Sequence, residues 1–221
     1  MVYDFHTHTF LSDGVLSPIE LIRRCAVVGY GALGIADHCG ASTMERIIAE
    51  TRRDAELAAR YWGFQVLAGV ELTHVPAASI AELAAQAKAL GADHVVVHGE
   101  TPVEPVEPGT NLAAASCAEV DVLAHPGLLS LEAAEAAARN GVFVEVTAKD
   151  GHSLGNGHVA RTALAAGAKL LVNSDTHVPG HILTEEFAKR VALCAGLAET
   201  DLQRVLVEHP QELIERAISR R

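Results

Sequence analysis

A chain of 221 residues with a net charge of −11 (histidines neutral) and 4% aromatic residues lacks the basic patch and the stacking strip that a long nucleic acid or an anionic membrane surface requires. Its 49% apolar content is enough for one well-buried α/β core, and no apolar stretch reaches the ~18 residues of a membrane span. Four separated cysteines, Cys25, Cys39, Cys117 and Cys194, form no CxxC pair, and no signal peptide precedes the first apolar run, so a reducing, cytoplasmic setting is expected rather than a disulfide framework.

Residues 2–7 form the first strand-like run, which ends in DFHTHT. His6 and His8 are two positions apart and share one face of the strand end, where two imidazoles can chelate one ion. Asp13 follows in SDG, a good turn by itself. Ser17-Pro18-Ile19-Glu20 predicts a helix start, with Ser17 as N-cap and Glu20 completing a capping box; Ile19, Ile22 and Ala26 then mark its inward face. The second run, residues 32–37, ends in IADH, offering His38 as a ligand and Asp37 as an acceptor able to orient a ligand. A charged helix is expected over 42–61, with Arg52, Arg53 and Arg60 on a solvated face and Trp62 and Phe64 packing at its end. The run 65–72 carries Glu71 in GVEL, an expensive buried charge unless it bridges cations. His74 follows closely.

A helix over 79–90 leads to the strand 94–98, which ends in VVVHG with His98. His94, at the start of that strand, belongs to the opposite, stability face. The loop 99–111 contains three prolines. The strand 120–125 ends at His125 in LAHP, and a helix over 130–140 precedes the strand 142–147. The loop 148–157, AKDGHSLGNG, is long and polar; Lys149, His152, Asn156 and His158, the last opening the helix 157–166, offer charge and hydrogen bonds to a phosphate. The final run, 169–174, closes in NSDTH, repeating the two-residue spacing with Asp175 and His177. His181 lies just beyond. Two helices, about 184–195 and 200–220, end the chain, the second interrupted at Pro210, with His209 exposed.

Seven strand–helix units in one domain predict a small distorted (β/α) barrel, with an open doubly wound sheet as the alternative. Either fold gathers the strand ends on one rim. That rim would carry a ring of imidazoles and carboxylates, a mixed N/O donor set suited to Zn, Mn or Fe.

These motifs, DFHTHT, SDG with its Ser-Pro helix start, IADH, the Glu of GVEL, VHG, AHP and NSDTH, resemble in kind and order those of the PHP (polymerase and histidinol phosphatase) family of metal-dependent phosphoesterases, along essentially the whole chain. The resemblance implies a single PHP domain, 1–221, folded as a distorted (β/α)7 TIM-like barrel around two to three divalent ions. It implies that His6, His8, Glu71 and Asp175 hold one ion, that Glu71 bridges to a second held by His98 and His125, and that Asp13, His38 and His177 hold a third. Some relatives have His where Asp13 stands, which makes that third position harder. The implied activity is hydrolysis of a small phosphate ester, histidinol-phosphatase-like, with a metal-bridging hydroxide as nucleophile and Glu71, Asp175 and His177 carrying the chemistry. The implied partner is a small phosphorylated substrate, with no membrane and no long nucleic acid. Two readings stay open beside it. One is an amidohydrolase-type C–N hydrolase, which also uses HxH and a last-strand Asp but wants a bridging lysine on strand four. The other is a non-catalytic, metal-stabilised PHP module.

Overall fold

A computed structural model of the chain describes residues 1–220. Short runs rich in aliphatic residues make nine strands: β1 (Val2–Asp4), β2 (Tyr30–Ile35), β3 (His38–Cys39), β4 (Val66–Ala68), β5 (Val70–Leu72), β6 (Val95–His98), β7 (Val122–Ala124), β8 (Phe143–Thr147) and β9 (Leu170–Asn173). All pair in parallel, in a sheet of order β1-β2-β4 and a sheet of order β3-β5-β6-β7-β8-β9. Two of the expected strands are each cut in two. The second breaks at residues 36–37, and the third at Gly69. At Gly69 any side chain would collide with the His94 ring and backbone, so the chain passes His94 only as glycine.

With β2/β3 and β4/β5 each counted as one stave, seven staves surround the axis, and a parallel bridge from Thr7 to Thr176 joins the first to the last. Side chains assist that seam. Asn173 Oδ1 accepts from Phe5 N at 2.9 Å, and Asp4 Oδ1 accepts from Ser174 N at 3.2 Å. The fold is therefore the distorted (β/α)7 barrel, and the open-sheet alternative falls because the end staves meet.

The helices α1 (Pro18–Val28), α2 (Met44–Trp62), α3 (Ile80–Ala89), α4 (Thr110–Ala115), α5 (Leu131–Asn140), α6 (Asn156–Ala166), α7 (Glu185–Cys194) and α8 (His209–Ser219) cover the staves. In α1, Ser17 Oγ accepts from Glu20 N at 3.3 Å, but Glu20 turns to Arg24 at 2.7 Å instead of returning the bond. Only half of the expected capping box forms. The face α1 buries is Leu21, Ile22 and Cys25, rotated from the expected Ile19, Ile22 and Ala26. The last predicted helix is broken: a π-turn at Arg204–Glu208 gives way to α8, which has Pro210 in its first turn. A proline has no N–H to continue the ladder and crowds the carbonyl four residues back. His209 is half-buried, with Nδ1 2.8 Å from the Leu170 carbonyl, so the expectation that it is exposed is corrected. Arg52 likewise leaves the solvated face, donating to Asp93 at 3.0 Å, and Trp62 is 43% exposed where packing was expected.

The barrel axis is filled by Phe5, Ala32, Ala36, Leu67, Val96, Val122, Ala124, Phe143 and Leu171, with Leu213 and Ala217 of α8 packed among them. A larger apolar layer lies between staves and helices. At the strand-start end, Asp121 accepts from Lys88 at 2.5 Å and pairs with Arg216 at 3.0 Å. Among the described residues no helix is long and apolar enough to cross a membrane.

His94 belongs to this stability end. It is fully buried, and its Nε2–H donates to the Phe5 carbonyl at 2.9 Å. Burial, reinforced by the Lys88 ammonium, holds its pKa down at about 4. The folded ring refuses a proton that the unfolded ring accepts near pH ~6.5. Its contribution is therefore present above pH ~6.5 and is lost as pH falls toward 4, amounting to about 3 kcal/mol. Denaturant melts of metal-free protein across that window should show a shallower loss of stability with acid for His94→Gln than for the parent. Parallel pH profiles would remove His94 from this role.

Candidate metal centre

Strand parity delivers part of the site. Axis-facing positions advance in steps of two, and above the apolar layer of Ala36, Leu67, Val96, Phe143 and Leu171 the same columns reach His38, Glu71, His98, Glu145 and Asp175. His125 is out of step with Val122 and Ala124, and a left-handed backbone, φ 27°, turns it inward. Asp175 also has positive φ, 54°, as does His74 at 52°. Non-glycine residues in this region store strain, and they cluster at functional sites.

The nine residues expected as ligands come together on one rim. His8 Nε2 lies 3.1 Å from Asp175 Oδ1, and His6 Nε2 lies 3.2 Å from Glu71 Oε1. His125 Nε2 is 3.8 Å from Asp175 Oδ2 and 4.0 Å from Glu71 Oε1. Asp13 Oδ1 faces both His177 Nε2, at 3.2 Å, and His38 Nε2, at 3.5 Å. His98 stacks edge-on to His125 at 4.6 Å. Three donor groups drawn from the expected ligands, His6–His8–Asp175, His6–Glu71–His125 and His8–Asp13–His38–His177, each bring their ligand atoms within 4.8 Å of one another.

The interior of this cluster is short of partners. His6 Nε2, both ring nitrogens of His8, Glu71 Oε1, His125 Nδ1 and Asp175 Oδ1 are buried without a hydrogen bond. The His6–Glu71 approach is close but lacks hydrogen-bond geometry. Each such atom costs ~1–3 kcal/mol unless something engages it, and imidazole nitrogens facing carboxylate oxygens are the donor set of divalent transition metals. The residues present fit such ions.

Electrostatics follow from burial and pairing. Burial lowers the His6 pKa, but Glu145, Glu71 and Asp175 outweigh it and leave the ring well above the usual histidine range. Burial raises Glu71 and Asp175, yet the surrounding imidazoles hold both well below the usual carboxylate range. His38, despite burial, is lifted to about 10 by Glu71 and Asp13. His125, burdened by burial and by His98 and His6, falls well below the usual range.

Behind the ligand positions stands Glu145, which the sequence reading passed over. Fully buried in β8, it accepts from His6 Nδ1 at 2.8 Å and from Asn173 Nδ2 at 2.9 Å. The available signal was a carboxylate inside the apolar run FVEVT, the same signal that singled out Glu71. Asp37 does not orient His38. Its oxygens take Thr9 N, Thr9 Oγ1 and Ser12 Oγ, each at 2.7 Å, and so brace the loop that carries Asp13. His38 is set instead by Glu71 Oε2 at 2.5 Å and Thr73 Oγ1 at 2.7 Å.

The four loop residues expected to read phosphate divide. Lys149 reaches the cluster, with Nζ 2.6 Å from His177 Nδ1 and 3.6 Å from Asp175 Oδ1. His152 joins His98 and His125 as a further donor group. Asn156 and His158 are not brought to the cluster. Asn156 accepts from Thr147 N at 3.1 Å and donates to Thr147 O at 2.8 Å, and His158 donates to Leu129 O at 2.8 Å. Glu104, also missed, comes from the proline-rich loop to within 3.1 Å of His98 Nε2.

The protein MJ1295 of Methanocaldococcus jannaschii, described as uncharacterized, is 48% identical over 217 residues, covering 98% of this chain and 100% of the relative. A 5'-3' exoribonuclease of Haemophilus influenzae is 37% identical over 71 residues, 32% of this chain and 23% of the relative. Among solved structures, the histidinol phosphate phosphatase of Lactococcus lactis, complexed with zinc, L-histidinol and phosphate, aligns with a TM-score of 0.64 at 12% identity over 89% of this chain and 94% of that one. At that identity the likeness shows the fold. No family profile matches the chain.

Glu145 orients His6, because Nδ1–H donates to its carboxylate and directs Nε2 into the cluster. Glu145→Gln should lower affinity for Zn or Mn by ~10–100-fold, measured by competition with a chelating dye. Unchanged affinity would mean that Glu145 does not position His6.

Proposed function

This chain belongs to one family with the Methanocaldococcus jannaschii protein MJ1295, and we propose that it is a PHP-type, metal-dependent hydrolase of small phosphate esters. The observation that carries the reading is the set of orphaned imidazole and carboxylate atoms converging around Glu71 and Asp175. Partial sequence similarity to an exoribonuclease supports phosphoester chemistry over C–N hydrolysis.

His6, His8, Glu71 and Asp175 would hold one ion, Glu71, His98 and His125 a second, and Asp13, His38 and His177 a third. When bound, such ions supply Lewis acidity toward phosphoryl oxygens and lower the pKa of water toward ~7. The protein's own part is to orient and to bind. Glu71, placed centrally, keeps its charge because His6 and His38 offset the cost of burial. Lys149 stands between the cluster and a cavity of about 210 Å³ lined by Ala148, Asp150, Ser174, Gly180, His181 and Phe187. A phosphate at the cluster meets its ammonium, and a leaving group in the cavity meets the 46%-exposed Phe187. With a net charge of −11, the chain favours a compact monoester over a polyanion.

A panel of phosphomonoesters and phosphodiesters tested on metal-loaded protein should show phosphate release that chelation abolishes. Asp175→Asn should lower that turnover by at least ~10²-fold with the fold intact. Turnover that survives both chelation and Asp175→Asn would place the chemistry elsewhere. Lys149→Ala should raise KM more than it lowers kcat, since its contact exists in the ground state as well as the transition state. Kinetics matching the parent would return Lys149 to a structural role. His94→Gln, at the opposite end of the barrel, is the silent control.

A further inference from the structure

The expected ligand sets leave two side chains at the rim unexplained. His152 opens the short 3-10 turn His152–Gly155 after β8 and is only 6% exposed. Its ring lies 4.3 Å from that of His125 and 5.9 Å from that of His98, centroid to centroid. The three imidazoles bring ligand atoms within 4.8 Å of one another. His98 Nδ1 lies 3.2 Å from the Gly99 carbonyl, which assigns its proton and turns Nε2 to the group. His125 Nδ1 and His152 Nδ1 are buried with no partner. A neutral imidazole carries one lone-pair nitrogen, which needs a proton donor or a cation. Besides Asp175 and Glu71, 3.8 and 4.0 Å from His125 Nε2, the carboxylate placed against this trio among the described residues is Glu104, and an ionised carboxylate can only accept.

Glu104 is held over the trio from the far side. One oxygen lies 3.1 Å from His98 Nε2 and 3.0 Å from His74 Nε2, and the other lies 3.4 Å from His152 Nε2. Its loop is tied down. Glu100 N donates to Asn111 Oδ1 at 2.9 Å, Asn111 Nδ2 donates to the Pro126 carbonyl at 2.8 Å, and prolines flank the segment at 102 and 105. The left-handed backbone of His74 aims a further ring at the same carboxylate.

We propose that His152 and Glu104 complete the coordination of the ion held by Glu71, His98 and His125, making it a three-imidazole position capped by the Glu104 carboxylate. Glu104 is then the ligand that an incoming phosphoryl oxygen displaces. It is 37% exposed on its loop, whereas the three histidines are 1–7% exposed. Glu71 offsets only part of a divalent ion's charge and the three rings offset none, so a second carboxylate or a phosphate oxygen is what the remaining position takes. The inference rests on the reading that divalent ions occupy this rim.

Metal content after dialysis against a weak chelator tests it, alongside calorimetric binding of inorganic phosphate to the zinc-loaded protein. His152→Gln should lose one equivalent of retained zinc relative to the parent. Glu104→Ala should keep the parent's zinc content and bind phosphate about tenfold more tightly, since a competing ligand has gone. His152→Cys covers the case in which the glutamine variant does not fold: its cobalt-loaded form should gain a thiolate-to-cobalt charge-transfer band that the cobalt-loaded parent lacks. Full zinc retention by His152→Gln, no such band in His152→Cys, or unchanged phosphate affinity in Glu104→Ala overturns the inference while leaving the proposed hydrolase standing. A parent protein that retains no ion overturns both.

Discussion

Two carboxylates buried at the top of the barrel govern the rest of the structure. Glu71 and Asp175 are almost fully removed from water, and an isolated buried charge is too costly for a domain of ordinary stability to carry. Each is surrounded by imidazoles, and the mutual shifts show the bargain: burial acts to neutralise the carboxylates and rings, while proximity keeps opposite charges on them. The compensation is incomplete, because several coordinating atoms remain without partners. Protons on the histidines can fill the role only in part, since His125 and His8 resist protonation. Divalent cations would settle the same account with fewer particles and without like-charge repulsion between rings.

That concentration of polar groups is tolerable because the layer beneath it is apolar and tight. Phe5, Leu67, Val96, Phe143 and Leu171 fill the axis below the cluster, and α8 closes the other end. The strain at His74, His125 and Asp175 is held by the same scaffold, which over-determines backbone positions that short loops alone would relax. Rigidity below and strain above are two sides of one design.

The candidate ligand positions other than Asp13 stood out in the sequence because they close apolar runs, and a charged or imidazole side chain at the end of a buried strand has few other reasons to be there; Asp13 read as a turn residue and entered only through the family resemblance. Parity carried His38, Glu71, His98 and Asp175 to the axis. It did not carry His125, whose inward turn depends on a backbone conformation invisible in the alternation pattern. Glu145 was legible in principle, but it sits mid-strand rather than at a strand end, where attention falls. Glu104 was not legible, because its place depends on the path of a loop fixed by contacts from Asn111 to Pro126. Asn156 and His158 looked like phosphate readers by composition, whereas backbone carbonyls and amides had already claimed them. The helix-start motif at Ser17 was half right for a related reason: Glu20 had a better partner in Arg24.

The seam between the first and last staves has a consequence for how the protein is made. His6 and His8 leave the ribosome well before their partners across the seam, as the 168-residue separation of Phe5 and Asn173 shows. Until the final stave emerges and docks, the early histidines have neither Asp175 nor the bridge at Thr176 to complete a binding position. The two candidate positions that draw on Asp175 or His177 therefore cannot form until translation has passed residue 177. The ring closure that completes the barrel is thus also the event that assembles those two positions.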